Sequence, residues 1–378
     1  MTLGERLRRA PWSLPILAAV LTGLGIETIA TAADGHAVPY AWLQTRWAAV
    51  GFAAALLVLA TPYARFVRWA PVLYGAGLAS LVLVLFKGTG QSAGRWLGIG
   101  SFRVQPSEFM KPILVVMLAA TLRYSTEHRR LGGLVKPVLL TLIPFLLVMR
   151  QPDLGTALLF VPIAFAVLFA AGARLRHLAI LAVGGLAAAT LLALVPGVLK
   201  DYQRDRIFGF LAQHGDSTAA KTLERSQNHQ SYRGRIAIGL GGLTGVDDAD
   251  GGAEEATRDV PERHSDFIFS VFAAKHGFAG VTLLFLLYGA FLGALLSVAS
   301  RLREPSGRFL AVGMFAMFGV QIVVNLGMVA GLLPVVGVPA PFLTYGGSNL
   351  LVSWLSIGLL LAVGSDPPIE FGRTTYGD

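Results

Sequence analysis

The chain has 378 residues, 54% of them hydrophobic and only 14% charged, with a net charge of +9 and no cysteine. Soluble domains carry about 25% charged residues, so this composition excludes an ordinary water-soluble globule. The missing cysteine excludes disulfides, thiolate metal sites and a cysteine nucleophile; in so apolar a chain the basic balance reads as a topology signal and a contact for anionic lipid or phosphate rather than nucleic acid.

The N-terminal tail carries Arg6, Arg8 and Arg9 and runs into an apolar stretch, 14–33, closed by Ala30-Thr31-Ala32-Ala33. That pattern resembles a secretory leader, but the stretch meets the roughly 20 residues a membrane span needs and further spans follow, so it is read as a retained helix. More apolar runs lie at 42–61, 70–86, 109–123, 134–149, 155–171, 178–195, 267–299, 309–331 and 349–364. Basic residues mark every second connection: Arg65 and Arg68; Arg123, Arg129, Arg130 and Lys136; Arg174 and Arg176; Arg301, Arg303 and Arg308. The opposite short connections are poor in them, with Arg46 in one and none in 332–348. Because Lys and Arg collect on the cytoplasmic side, the pattern predicts an all-α polytopic membrane protein of about ten transmembrane helices, both termini cytoplasmic. One domain, 1–378, is expected. Two extracytoplasmic segments interrupt it: Lys87–Lys111, and a long loop at 196–265 rich in glycine and in charges of both signs.

The sequence lacks the phosphate-loop, HExxH and GxSxG patterns. Asp248-Ala249-Asp250-Gly251 lacks the closing ligands of a calcium loop and reads as a solvated acidic loop. What remains are polar residues at helix ends on the extracytoplasmic side, each with a plain alternative as a cap. Gly94-Arg95-Trp96 precedes Gln105-Pro106-Ser107-Glu108-Phe109-Met110-Lys111, where Ser107 or Glu108 can cap a helix and Glu108 and Lys111 share one face. In Arg150-Gln151-Pro152-Asp153, Asp153 is favoured as a cap, whereas Arg150 ends an apolar run and needs a partner. Val260-Pro261-Glu262-Arg263-His264-Ser265-Asp266 opens the next span; Ser265 or Asp266 can cap it, and a carboxylate there can equally act as a general base. The stretch from Asn325 to Asn349 has too many prolines and glycines for a regular helix, and its Gly346-Gly347-Ser348 would let backbone N–H groups approach an anion or simply form a rigid re-entrant connector.

GRWL, QPSEFMK, QPDLGTA, the IAIGLGG of 236–242, PERHSDFIF and PAPFLTYGGSN, in this order, resemble the SEDS family (shape, elongation, division and sporulation), over roughly Trp12 to Gly364. Gln151 and Arg263 look more like its RodA branch than its FtsW branch. The resemblance implies a peptidoglycan glycosyltransferase polymerising lipid II into glycan strands, in elongation and shape maintenance, in the bacterial cytoplasmic membrane. It implies Asp266 as the catalytic residue, with Trp96, Glu108 and Lys111 in the substrate cavity. This sequence departs from the family pattern at Ala274-Lys275-His276-Gly277, where an acidic pair is usual, at Gly245-Val246-Asp247, and at Ser348-Asn349.

Such a reaction takes a glycan on a polyprenyl diphosphate as donor and a lipid II hydroxyl as acceptor. Diphosphate leaves without a general acid, so one base suffices, unlike the two carboxylates of glycosidases. Positive charge must meet the developing anion; Arg95, Arg103, Lys111 and Arg150 are candidates, with Ser348 at the glycine pair and with a divalent cation, Mg or Mn, as an assistant. No organic cofactor is expected. Membrane lipids and a class B penicillin-binding protein are the expected partners, with no nucleic acid. A flippase for lipid-linked sugars and a recruiting scaffold are the competing readings.

Overall fold

The computed structural model describes residues 2–33, 38–88, 94–99, 102–194, 229–246 and 252–366. Its helices are α1 (Leu3–Arg9), α2 (Ser13–Ala32), α3 (Tyr40–Ala60), α4 (Tyr63–Lys87), α5 (Pro106–Leu122), α6 (Val135–Arg150), α7 (Leu154–Ala170), α8 (Leu175–Leu194), α9 (His229–Leu240), α10 (Gly252–Thr257), α11 (Ile268–Arg301), α12 (Pro305–Val329) and α13 (Gly347–Ser365). Every apolar run read from the sequence lies on one of them. Among the described residues, seven helices are long and apolar enough to cross a membrane, and α7 and α8 supply shorter apolar stretches. Helix α5 has 17 residues, about 26 Å at 1.5 Å per residue, and carries Glu108 and Lys111. The protein is a polytopic α-helical membrane protein.

Helix α13 is the centre of the bundle, packed along α3 and buried on nearly every side. The two backbones approach so closely that a Cβ on Gly358 would lie 2.5 Å from the Ala55 carbonyl oxygen. Helix α12 packs on α5, α7 and α11, and α2 packs on α11. In the segment before α5, which the sequence reading left without structure, a small antiparallel hairpin joins Leu97–Ile99 to Phe102–Val104. Most of the long loop's first half lies outside the described residues, as does the acidic stretch 248–251. Its second half is helical: α9 and α10 both pack on α11.

At one end of the bundle, polar side chains tie the termini together. Arg6 pairs with Asp366 at 2.7 Å and donates to the carbonyls of Leu59 and Thr61, both at 3.2 Å. Beside it Glu304 caps α12 through the Gly307 N–H at 2.7 Å and accepts from the Tyr63 hydroxyl at 2.9 Å.

Helix α11 is broken at Gly277, whose φ of 59° and ψ of −164° suit glycine alone. The turn that ends IAIGLGG brackets this break. Val246 N–H donates to the Ala274 carbonyl, and the carbonyls of Gly242 and Leu243 accept from Phe278 and Ala279 N–H, so both helix ends exposed by the kink are satisfied. A Cβ on Gly277 would sit 2.3 Å from the Gly245 nitrogen. Gly277→Ala is therefore expected to destabilise the protein by at least about 2 kcal/mol, read as a lower thermal midpoint in tryptophan fluorescence of detergent-solubilised protein.

Candidate active site

The site lies at the other end of the bundle, where α5, α12 and α13 meet. Pro106 holds the first position of α5, where no N–H is needed, and Gln105 stands at the N-cap without a capping bond from its side chain; neither Ser107 nor Glu108 caps this helix. Glu108 and Lys111 turn into the bundle instead, 2% and 1% exposed. Lys111 Nζ donates to Glu108 Oε2 at 2.8 Å and to Gln321 Oε1 of α12 at 3.0 Å. Asn349 Nδ2 of α13 donates to the same two oxygens, at 2.8 and 3.2 Å. One carboxylate, one ammonium and two amides from three helices thus satisfy one another, and the cluster is neutral.

Four residues along α12 from Gln321, on the same face, stands Asn325. Its Nδ2 donates to the backbone carbonyl of Asp266 at 3.1 Å and to that of Val338 at 2.8 Å. Asp266 is thus tied to α12 one helical turn, about 5–6 Å, along from the residue that takes part in the Glu108–Lys111 network. It belongs to the turn before α11, whose N-cap is Phe267, and the Ser265 hydroxyl donates to Glu262 within that turn. The flanks of Asp266 are pinned. Ser265 and Phe267 N–H both donate to the Glu262 carbonyl, and Glu262 itself has a left-handed φ of 52°. Arg263 is buried, with its guanidinium 3.8 Å from Glu254 of α10, and the His264 ring stacks on Tyr40 at 4.4 Å. Beside the carboxylate lies Gly337, with φ of +69°; a Cβ there would stand 3.2 Å from Asp266 Oδ2.

Outward from the network, Ser348 Oγ accepts from the Gln105 N–H at 3.0 Å, and Gln105 Nε2 donates to Asp153 at 2.9 Å. Asp153 is a cap, as its position suggests: it accepts from the Thr156 N–H at 3.2 Å. Burial pushes the Asp153 carboxyl up, with the Arg95 guanidinium at 3.9 Å opposing. Arg95 also donates to the Pro152 carbonyl. Trp96 follows at the foot of the hairpin, half-buried, and Arg103 faces out from its second strand. Arg150 ends α6 exposed, and among the described residues no carboxylate pairs with it; the buried partner expected for it is not needed. The structure thus brings together Asp266, Glu108, Lys111 and Ser348, places Arg95 and Trp96 beside them, and sets Arg150 apart.

The glycine pair before Ser348 serves packing in this structure. The Gly346 N–H donates to buried Gln44 at 3.2 Å, and the Trp47 indole lies where a Cβ of Gly347 would be, 2.3 Å away. Where the family pattern has an acidic pair, Lys275 pairs with Glu27 of α2 at 2.6 Å and His276 lies 3.3 Å from it, so the turn keeps an ionic contact with the charges on the other side. Among the described residues no three of His, Asp and Glu are grouped to hold a metal ion. Sequence reasoning missed Gln321, the hub of the network. Two amides four residues apart inside an apolar run were the signal, since polar groups at that depth face the protein interior.

The sequence profile of the FtsW, RodA and SpoVE family, described as cell cycle protein, matches residues 12–366. A probable peptidoglycan glycosyltransferase FtsW of Trichlorobacter lovleyi is 33% identical over 375 residues, 96% of this chain and 95% of that protein. A chain solved in work on structural coordination of polymerization and crosslinking by a peptidoglycan synthase complex superposes with a TM-score of 0.78 at 33% identity, covering 93% of this chain and 97% of its own. The rod shape determining protein RodA of Thermus thermophilus superposes at 0.69 with 31% identity, over 93% of this chain and 96% of its own.

Removing one partner of a buried ion pair strands the other charge. Lys111→Met is expected to cost about 3–5 kcal/mol in unfolding free energy, and Glu108→Gln added to it should recover most of that loss. Denaturant titration of the single and double variants checks this; equal losses in both would mean the pair is not coupled.

Proposed function

This chain belongs to the FtsW, RodA and SpoVE family, and on that premise we propose that it polymerises lipid II into glycan strands at the outer face of the bacterial cytoplasmic membrane. The observation that carries this reading is the placement of Asp266: a carboxylate in a pinned turn at the start of α11, tied through Asn325 to the helix that supplies Gln321 to a buried Glu–Lys network. The names of an FtsW relative and of a structurally similar peptidoglycan synthase chain support it.

In this mechanism Asp266 takes the proton from the 4-hydroxyl of the lipid II sugar as that oxygen attacks C1 of the donor sugar. The bond from C1 to the diphosphate oxygen breaks, and polyprenyl diphosphate leaves with the electron pair. Attack opposite the leaving group converts an α-linked diphosphate into a β-1,4 bond. The new charge falls on the diphosphate, which Arg95 and Arg103 would meet, with Ser348 and Trp96 near the sugars; Lys111 is held in its pair with Glu108, and Arg150 would serve only substrate reaching the outer end of α6. A divalent cation would supply further positive charge to the leaving diphosphate; among the described residues no three carboxylates or histidines are grouped to hold it. The Glu108–Lys111 pair gives the site a rigid floor rather than a proton relay. The substrate's polyprenyl chains would stay in the bilayer beside the helices.

The site end of the bundle is placed outside the cell because the basic connections gather at the opposite end. Ten crossings with both termini cytoplasmic follow from the same rule. A role in elongation rests on Gln151 and Arg263 and on the likeness to a rod shape determining protein. A class B penicillin-binding protein is the proposed partner, in keeping with the synthase complex that holds a similar chain. A flippase for the same lipids would set charge along a path through the bilayer, whereas this network gathers at one end.

Purified protein given fluorescent lipid II in detergent is expected to make glycan polymer. Asp266→Asn should cut the rate by about 100-fold or more while leaving the thermal midpoint unchanged, as loss of a general base does. Polymer made by that variant at an undiminished rate would remove Asp266 from its role.

A further inference from the structure

Asn325 is fully buried, and its Nδ2 divides its two hydrogens between two backbone carbonyls, those of Asp266 at 3.1 Å and Val338 at 2.8 Å. Both partners are acceptors, so the amide has only one sensible orientation. Its Oδ1 is then left buried with no hydrogen-bond partner. A buried orphan oxygen costs free energy, which the two bonds donated by Nδ2 offset. What the amide gains is a fixed link between two segments of backbone.

The two carbonyls belong to two different parts of the site. One is on Asp266 itself. The other is on the residue after Gly337, and a Cβ on that glycine would lie 3.2 Å from Asp266 Oδ2. One amide therefore ties the backbone that carries the Asp266 carboxylate to the backbone that lies beside it, across segments separated by about seventy residues in the sequence. We infer that Asn325 is a positioning residue for the reaction, holding the Asp266 carboxylate at the height and angle from which it reaches the acceptor hydroxyl, with Gly337 beside it leaving it room. This rests on the reading of Asp266 as the base.

A purely structural tie and a positioning tie differ in what they move. The test uses the full chain, purified, with fluorescent lipid II, and measures kcat, KM and thermal midpoint for Asn325→Leu, Asn325→Gln and Gly337→Ala. Asn325→Leu keeps the shape but removes both donors and leaves the carbonyls of Asp266 and Val338 without them, so its thermal midpoint should fall, and its kinetics are read well below that midpoint. Its kcat should fall by about 100-fold with KM nearly constant, the loss expected of a base displaced by about 1 Å. Asn325→Gln, which retains the amide, should recover part of that loss. Gly337→Ala, which leaves Asn325 in place but crowds the carboxylate, should lower kcat in the same way. An undiminished kcat in Asn325→Leu overturns the inference, as does a raised KM with kcat retained, which would make Asn325 a substrate contact. Should Asn325→Leu not fold, Gly337→Ala decides: unchanged kcat there sinks the proposal. Active Asn325→Leu alongside inactive Asp266→Asn rejects this inference alone, whereas no polymer from the unmodified chain rejects the polymerase reading beneath it.

Discussion

A carboxylate and an ammonium inside an apolar helix bundle must neutralise each other and fill their remaining hydrogen-bonding positions, because neither water nor lipid will do so. Glu108 and Lys111 meet each other within one turn of α5, but each still needs more, and that need is met by Gln321 and Asn349. Three helices are thereby drawn to one point. Gln321 carries the constraint further, since the helical repeat places Asn325 one turn on along the same face, and Asn325 holds Asp266. The position of the proposed base is thus inherited, step by step, from the satisfaction of two buried charges.

The surroundings make that position rigid. The kink at Gly277 lets the first part of α11 turn away from the line of the rest, and the turn after IAIGLGG satisfies both broken ends. Lys275 and Glu27 fasten the same junction to α2. On the opposite side, Gln44 accepts from the Gly346 N–H and donates to the Thr344 carbonyl at 3.0 Å, so the connector before α13 is clamped to α3. A loop built of prolines and glycines would otherwise be soft; here it is held at each end of its course.

Much of this was legible in the sequence, and the exceptions have physical causes. Helices in a membrane must be long and apolar, so 14–33 or 309–331 could be found by hydropathy alone. Asp153 behaves as the cap its position suggests, because a short carboxylate before a helix finds a free N–H with no competitor. Glu108 has the same local pattern and does not cap; tertiary partners decided its orientation, and spacing cannot show those. The hairpin at 97–104 left a trace, two short runs across Gly100-Ser101, that a search for apolar spans passes over. Helices α9 and α10 were hidden for a different reason: their charged and glycine-rich sequences are stabilised by packing on α11, not by any periodicity of their own. Gly346 and Gly347 suggest an anion site by type, yet close packing against Trp47 and a bond to Gln44 account for them here.

The network also bears on how the protein enters the bilayer. Helix α5 is synthesised with its carboxylate and ammonium already three residues apart, but Gln321 follows 210 residues later and Asn349 lies 241 residues beyond Glu108. Until α12 and α13 emerge from the ribosome, α5 holds a half-satisfied pair that disfavours its release into lipid. The network can therefore close only once the last helices have been made, which makes completion of the proposed catalytic end a late event in folding.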